Sequence, residues 1–350
     1  MKNRVLIVGE SSSDNIGDRA ISASIQQAMI ARNFEVDVKD FSCRKMPLSM
    51  TKISIFKKIF NKFAPDMLKG FIWFIKNFND IRKDSLIQHH IVIIGGGQLI
   101  HSNANFAFAL LAWAFLNKHK NIYILGCGSD SVFRNYEKFL FKLSLSYVNE
   151  VYLRDKKSID NLYNIFSIRA KFCPDIAYLL EPEQEPNNKN KLKSNNNFGL
   201  SIIDYNVYSK YAKSVGNPTL TKSEYLDYWS KEIPKISKNY YSIYLISTTM
   251  SDFYMSEEVK KIIIKNGFSK KIFSKHISSV DELFYNLKKI NTYFSGRMHG
   301  LILASLLNIN LLPFEVSLKL KEFAITTNRE SLGIKRQSIN NVIDKICDNI

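Results

Sequence analysis

The run Ile91-Val92-Ile93-Ile94-Gly95-Gly96-Gly97 is apolar without a break and then stops at three glycines. A strand with one wet face alternates apolar and polar side chains. An unbroken apolar run is what a strand covered on both faces requires, and that belongs to a parallel sheet sandwiched between helices. The glycines end the strand and let the backbone pass close to a ligand. The same form recurs on either side of it. Val5 to Val8 ends at Gly9, Ile122 to Leu125 ends at Gly126-Cys127-Gly128, and Val151 to Leu153 ends at Arg154-Asp155. Phe34 to Val38 reads as a further strand, and a helix is expected from about Asp18 to Ala31.

The stretch Glu181-Pro182-Glu183-Gln184-Glu185-Pro186, running on to Asn197, is polar, holds two prolines and has no period, so it reads as a linker. The strand–helix rhythm then resumes at Phe198 to Ile203, Ser242 to Ile246, Lys271 to Phe273, Thr292 to Phe294 and Ile309 to Phe314. At 350 residues the chain is long for one core. The expected organisation is an α/β, GT-B-like pair of Rossmann-like domains with parallel sheets facing a central cleft. Residues 1–182 form the first, 183–197 the linker and 198–350 the second, with the last helix packing back on the first. Ligands of such sheets bind beyond the carboxyl ends of the strands.

Lys plus Arg number 49 against 32 Asp plus Glu, a net charge of +17, which favours an anionic substrate or surface. No zinc-finger spacing, RNP-like run or basic zipper is present, so nucleic acid is not expected as a partner. Cys43, Cys127, Cys173 and Cys347 are far apart and form no CxxC, which argues against disulfides and a structural zinc and fits a reducing compartment. The histidines make no HxH or HExxH, so no metal is expected. The first residues hold too short an apolar run for a signal peptide, and Phe106 to Leu116 is too short to span a bilayer. A cytoplasmic location is expected. From Ile53 to Phe78, aromatic and apolar residues recur every three or four positions among lysines, with Pro65 dividing two helices. That pattern suits either a sheet-covering helix pair or peripheral contact with an anionic membrane at its inner face.

The chemistry-bearing residues fall at strand ends. Ser295-Gly296-Arg297-Met298-His299-Gly300 joins an apolar strand to an apolar helix. A helix start there offers backbone N–H groups to an anion, Arg297 adds a permanent charge and His299 a proton near neutrality. The competing reading makes Arg297 the partner of a neighbouring carboxylate and His299 a buried, satisfied ring. Asn15, Gly17 and Asp18 suit a polyol or a phosphate edge, although an Asp at that place also caps helices. Arg154 either faces a ligand or pairs with Asp155 or Asp175. Lys319 follows the last strand and adds positive charge. The first loop is not GxGxxG, and no Asp-x-Asp or GxSxG occurs, which disfavours nicotinamide binding, metal-dependent nucleotide-sugar chemistry and serine hydrolysis.

In order along the chain, Asn15-Ile16-Gly17-Asp18-Arg19-Ala20-Ile21, Gly95-Gly96-Gly97, Leu153-Arg154-Asp155-Lys156-Lys157-Ser158, Pro174-Asp175-Ile176-Ala177, Ser295-Gly296-Arg297-Met298-His299 and Lys319 resemble the polysaccharide pyruvyl transferase family over roughly residues 5 to 325. Ile176 departs from that family's proline, the loop at Gly126–Asp130 lacks its Gly-Pro ending, and Asn310 stands where the family usually has a proline. The resemblance implies transfer of a pyruvyl group from phosphoenolpyruvate, with no other cofactor, to a sugar or lipid-linked oligosaccharide of a cell-surface polysaccharide, giving a ketal. It implies Arg297 and His299 as catalytic, Lys319 and Arg154 as anion contacts, and Asn15, Asp18, Gly95, Gly96, Gly97 and Asp175 as substrate contacts. Asp18 or Asp175 would be the base, and Arg297→Ala is expected to abolish turnover without unfolding. The rival expectations are a GT-B glycosyltransferase using a nucleotide sugar and a non-catalytic scaffold of a polysaccharide assembly.

Overall fold

A computed structural model describes residues 3–44, 64–182, 196–214, 216, 219–327 and 331–349. Most of the linker (183–195) and the first part of the basic aromatic stretch (53–63) lie outside the described residues. The chain divides into two compact units. Unit 1 comprises Met1–Ser13, Asp18–Leu179 and Lys335–Ile350, and unit 2 comprises Asp14–Gly17 and Leu180–Ile334.

Unit 1 carries a six-stranded sheet: β1 (Arg4–Gly9), β2 (Glu35–Asp40), β3 (Ile91–Gly95), β4 (Asn121–Cys127), β5 (Glu150–Leu153) and β6 (Lys171–Phe172). Their order is β2-β1-β3-β4-β5-β6 and every pairing is parallel. The apolar runs behave as their patterns require: Val5 to Val8 and Ile91 to Ile94 are fully buried. Each such side chain contributes roughly 1.5–3 kcal/mol relative to exposure. Helices α1 (Ile16–Ile30), α2 (Asp66–Leu86), α3 (Ala104–Leu116), α4 (Asn135–Leu145) and α5 (Lys156–Phe166) connect the strands. Pro65 stands at the N-cap of α2, where its missing N–H does no harm. Gly70 lets α2 lie directly on α3, since a β-carbon there would come within 2.6 Å of the Phe108 ring.

Unit 2 carries β7 (Phe198–Ser201), β8 (Ser242–Ser247), β9 (Lys271–His276), β10 (Thr292–Ser295) and β11 (Asn310–Pro313), in the parallel order β11-β10-β7-β8-β9. Its helices are α6 (Tyr205–Ser214), α7 (Lys222–Ile236), α8 (Met250–Lys265), α9 (Val280–Leu287), α10 (Met298–Ser305) and α11 (Leu318–Thr327). The last helix, α12 (Leu332–Cys347), has its residues from Lys335 onward in unit 1. There Arg32 pairs with Asp344 at 2.7 Å, and Lys335 lies 4.6 Å above the Tyr178 ring.

In each sheet the chain winds outward from its first strand in one direction and then in the other. The reversal falls between β1 and β3 in unit 1 and between β7 and β10 in unit 2. The carboxyl ends at these two reversals are where an open parallel sheet leaves room for a ligand. In unit 1 the end of β3 is held by Gly96 and Gly97, both at positive φ (84° and 68°). A β-carbon on Gly96 would lie 2.3 Å from Ile21. Gly96→Ala therefore meets both backbone strain and overpacking, and should cost roughly 2–4 kcal/mol. A lowered urea midpoint measures it; an unchanged midpoint would mean that the glycine turn is not required.

Candidate functional site

In unit 2, β10 delivers Ser295 at the reversal beside β7. The Ser295 hydroxyl accepts from the Arg297 N–H at 3.0 Å, which turns the chain out of the strand. Gly296 passes tightly here, since a β-carbon would sit 3.0 Å from Ile203. Arg297 then takes the N-cap position of α10 and makes no side-chain cap bond. Its guanidinium turns instead to Asp252: Nε and Nη2 donate to the two carboxylate oxygens, each at 2.8 Å. The Asp252 side chain is fully buried and that of Arg297 is 17% exposed. Asp252 sits in the first turn of α8, capped by Thr249, and also accepts from the Asp204 N–H beyond β7 at 2.8 Å. One carboxylate thus ties the ends of β7 and β10 to the start of α8.

His299, in the first turn of α10, faces the start of α1. A β-carbon at Gly17 would lie 2.4 Å from His299 Cβ and 2.6 Å from Nδ1, so only glycine fits. The segment is pinned by the Ile16 N–H, which donates to the Thr248 carbonyl at 2.9 Å, and by Asn15, whose Oδ1 accepts from the Gly17 N–H at 3.1 Å. Asn15, Gly17, Arg297 and His299 therefore belong together in unit 2. Lys319 lies at the start of α11, and its side chain is outside the described residues.

The remaining predicted residues gather at the carboxyl ends of the unit 1 sheet. Asp18 lies in the first turn of α1, where an acidic side chain suits the helix dipole, and Ser13 Oγ donates to it at 3.5 Å. A β-carbon at Gly97 would come within 3.6 Å of Asp18 Oδ1. Arg154 pairs with Asp175 at 2.9 Å, both side chains nearly buried, and Asp175 also accepts from the Ala177 N–H. Asp155 caps α5 instead. Arg154 packs against Gly128, where a β-carbon would lie 3.3 Å from Nη2.

Sequence reasoning passed over several groups. Asp252 was hidden in Thr249-x-x-Asp252, which reads as a helix cap and is one. Glu10 follows β1 and is ion-paired with Arg44 at 2.6 Å. Burial pushes its carboxyl above the usual range, opposed by Arg44 and reinforced by Asp18. His101 and Asp130, at the ends of β3 and β4, meet at 2.6 Å, and the signal for them was adjacency to the glycine run. Burial pushes the Cys127 and Cys173 thiols up to about 12, so neither supplies a thiolate near neutral pH.

Breaking a buried ion pair by removing one partner costs about 3–5 kcal/mol. Arg297→Ala is therefore expected to lower stability by about that much, because it strands the buried Asp252 carboxylate. The double variant Arg297→Ala/Asp252→Ala should lose less than the sum of the single losses in urea denaturation, whereas strict additivity would deny the coupling.

Comparison with solved structures reveals the fold. The chain is similar to the UDP-GlcNAc 2-epimerase of Methanocaldococcus jannaschii (TM-score 0.54, 12% identity, 99% of each chain covered). It is similar to the Staphylococcus aureus protein MnaA, solved with UDP (TM-score 0.51, 12% identity, 99% of this chain and 88% of that one). At these identities the likeness speaks for the fold alone, and it is GT-B-like, as the two parallel-sheet α/β units are. No curated protein matches the chain. The model of the polysaccharide pyruvyl transferase family matches residues 15–317, which takes in the Asn15–Gly17 segment, the glycine loop, Arg154, Asp175, Arg297 and His299, and the chain belongs to that family.

Proposed function

We propose that the chain transfers a pyruvyl group from phosphoenolpyruvate to two hydroxyls of a sugar in a cell-surface polysaccharide or its lipid-linked precursor. The observation that carries this reading is the Arg297–His299 turn at the unit 2 reversal, in a chain of this family. Phosphoenolpyruvate is small and densely anionic. A guanidinium fixed along one edge by Asp252 is oriented for phosphate or carboxylate before the substrate arrives, which lowers the ordering cost of binding. Lys319 adds charge to the same anion, and His299 either ligates the phosphate or donates the proton that activates the enol. No other cofactor is needed.

The reaction balances without an external acid or base. The C3 methylene gains a proton, making C2 cationic. One sugar oxygen bonds to C2, the C2–O(phosphate) bond breaks, and the second sugar oxygen closes the ketal. Of the two hydroxyl protons, one is accounted for on the new methyl group and the other on phosphate. In unit 1, which we assign to the acceptor, Asp18 and the glycine loop would contact the sugar. Arg154, oriented by Asp175 as Arg297 is by Asp252, would be a further anion contact, and Asp175 would shape the substrate site.

The rival reading, a nucleotide-sugar transferase, shares the fold, and ligand-induced stabilisation separates the two. Phosphoenolpyruvate at a hundredfold excess over its dissociation constant should stabilise the chain by about 2.7 kcal/mol, raising the melting temperature, while UDP-sugars leave it unchanged. The reverse pattern would overturn the proposal. Phosphate release from phosphoenolpyruvate against free and lipid-linked glycans then identifies the acceptor.

We place the protein in the cytoplasm, at the inner face of an anionic membrane. No helix among the described residues is long and apolar enough to cross a bilayer. α2, however, exposes Met67, Leu68, Phe71, Ile72 and Ile75, positions that share one helical face, in a chain of net charge +17. Vesicles rich in phosphatidylserine should co-sediment the protein, phosphatidylcholine vesicles should not, and Phe71→Ser/Ile75→Ser should weaken the binding severalfold. Equal recovery with both vesicles, or no effect of the substitutions, would sink this assignment.

A further inference from the structure

The proposed reaction needs a group that takes the proton of the attacking sugar hydroxyl, and Asp175 is engaged with Arg154 and with the Ala177 N–H. A better-built candidate stands at the carboxyl ends of β3 and β4. The two loops are locked in register: the Gly128 N–H donates to the Gly97 carbonyl at 2.9 Å, the Asp130 N–H donates to the Ile100 carbonyl at 2.9 Å, and Ile100 and Ser129 form a parallel bridge. This lock places His101 against Asp130, with Nδ1 2.6 Å from Oδ2. Asp130 does not drift, because the Ser102 N–H donates to the same oxygen at 2.9 Å and the Gln98 side-chain amide donates to the other. The imidazole is held edge-on to Phe106, ring centres 5.8 Å apart, and Phe106 packs in turn on buried Phe41. The His101 side chain remains 35% exposed.

A carboxylate on Nδ1 does two things to a histidine. It fixes the tautomer with the proton on Nδ1, which presents the Nε2 lone pair outward, and it stabilises the imidazolium formed when Nε2 takes a proton. The charged groups behind the ring are Asp130 and, one bond beyond Ser102, the buried Glu137 of α4, whose carboxylate accepts from the Ser102 hydroxyl at 2.9 Å. The whole assembly lies next to the β1/β3 reversal and follows directly on the Gly95–Gly97 loop, where an open sheet receives its ligand.

We propose that His101, oriented by Asp130, is the general base for the acceptor sugar. As the sugar oxygen bonds to C2 of the donor, its O–H bond breaks and the proton passes to His101 Nε2; the ring later returns it as the phosphate leaves. Asp130 acts through His101 and is a positioning residue. This inference rests on the pyruvyl-transfer reading.

The decisive variant is His101→Asn. An asparagine amide reaches the place of Nδ1 and keeps the hydrogen bond to Asp130, but it carries nothing at the place of Nε2. With the glycan most active in the phosphate-release panel, His101→Asn should lower kcat/KM at least a hundredfold and remove the acidic limb of its pH profile. Stabilisation by phosphoenolpyruvate should stay intact. Asp130→Asn should lower kcat at least tenfold and leave the KM for phosphoenolpyruvate unchanged. A His101→Asn enzyme with near-normal kcat/KM, or one that keeps the acidic limb, overturns the assignment of His101 while leaving pyruvyl transfer standing. Failure of the unaltered protein to release phosphate from phosphoenolpyruvate with any glycan overturns both.

Discussion

The buried carboxylate of Asp252 is the constraint on which the unit 2 site depends. An isolated charge with no exposure is untenable in a protein interior, so Asp252 must be met by donors from every side. It receives the Arg297 fork, the Asp204 N–H and the first turn of α8. Meeting that demand brings together segments that are distant in the chain. The end of β7, the start of α8 and the turn after β10 become one rigid piece, and the orientation of Arg297 follows from it. The helix that begins at Met298 then presents His299 to a segment where any residue but glycine would collide.

Unit 1 reaches a comparable result through neutral hydrogen bonds and glycine. Gly96 and Gly97 at positive φ carry the chain close over Ile21 and Asp18, and the backbone bonds from Gly128 and Asp130 tie the β3 and β4 loops to each other. The consequence is chemical as well as structural. Two loops that cannot slide can hold a histidine and an aspartate at 2.6 Å, whereas loops free to move would lose that contact to water. A parallel sheet covered on both faces has its loops only at its two ends, so the candidate site residues crowd at one of them.

How much of this was legible in the sequence follows from the range of each interaction. Unbroken apolar runs such as Ile91 to Ile94 announce buried parallel strands because the signal is contained within a few consecutive residues. The turn at Ser295–His299 was legible for the same reason. The helix after it begins at Met298, with Arg297 at its cap position. The partner of Arg297 was not legible: Asp252 lies 45 positions away and its local context, Thr249-x-x-Asp252, already had a sufficient explanation as a cap. His101 was passed over because a search for metal ligands looks for histidines near one another, whereas its partner is an aspartate 29 positions on. Of the two aspartates that the sequence offered Arg154, Asp175 is the partner and Asp155 the helix cap, a choice set by tertiary packing.

The form of the proposed reaction bears on how these groups would work together. Phosphoenolpyruvate and two sugar hydroxyls give a ketal and phosphate with no net gain or loss of protons from water when phosphate leaves as its dianion. An enzyme for this reaction therefore needs no permanent acid or base, only groups that lend a proton and take one back within a turnover. Imidazoles suit that task better than carboxylates, because their ordinary pKa lets both forms persist near neutrality. A carboxylate on one ring nitrogen fixes the tautomer and presents the other nitrogen outward. His101 has Asp130 directly on Nδ1, which leaves Nε2 as the nitrogen that would meet the sugar hydroxyl.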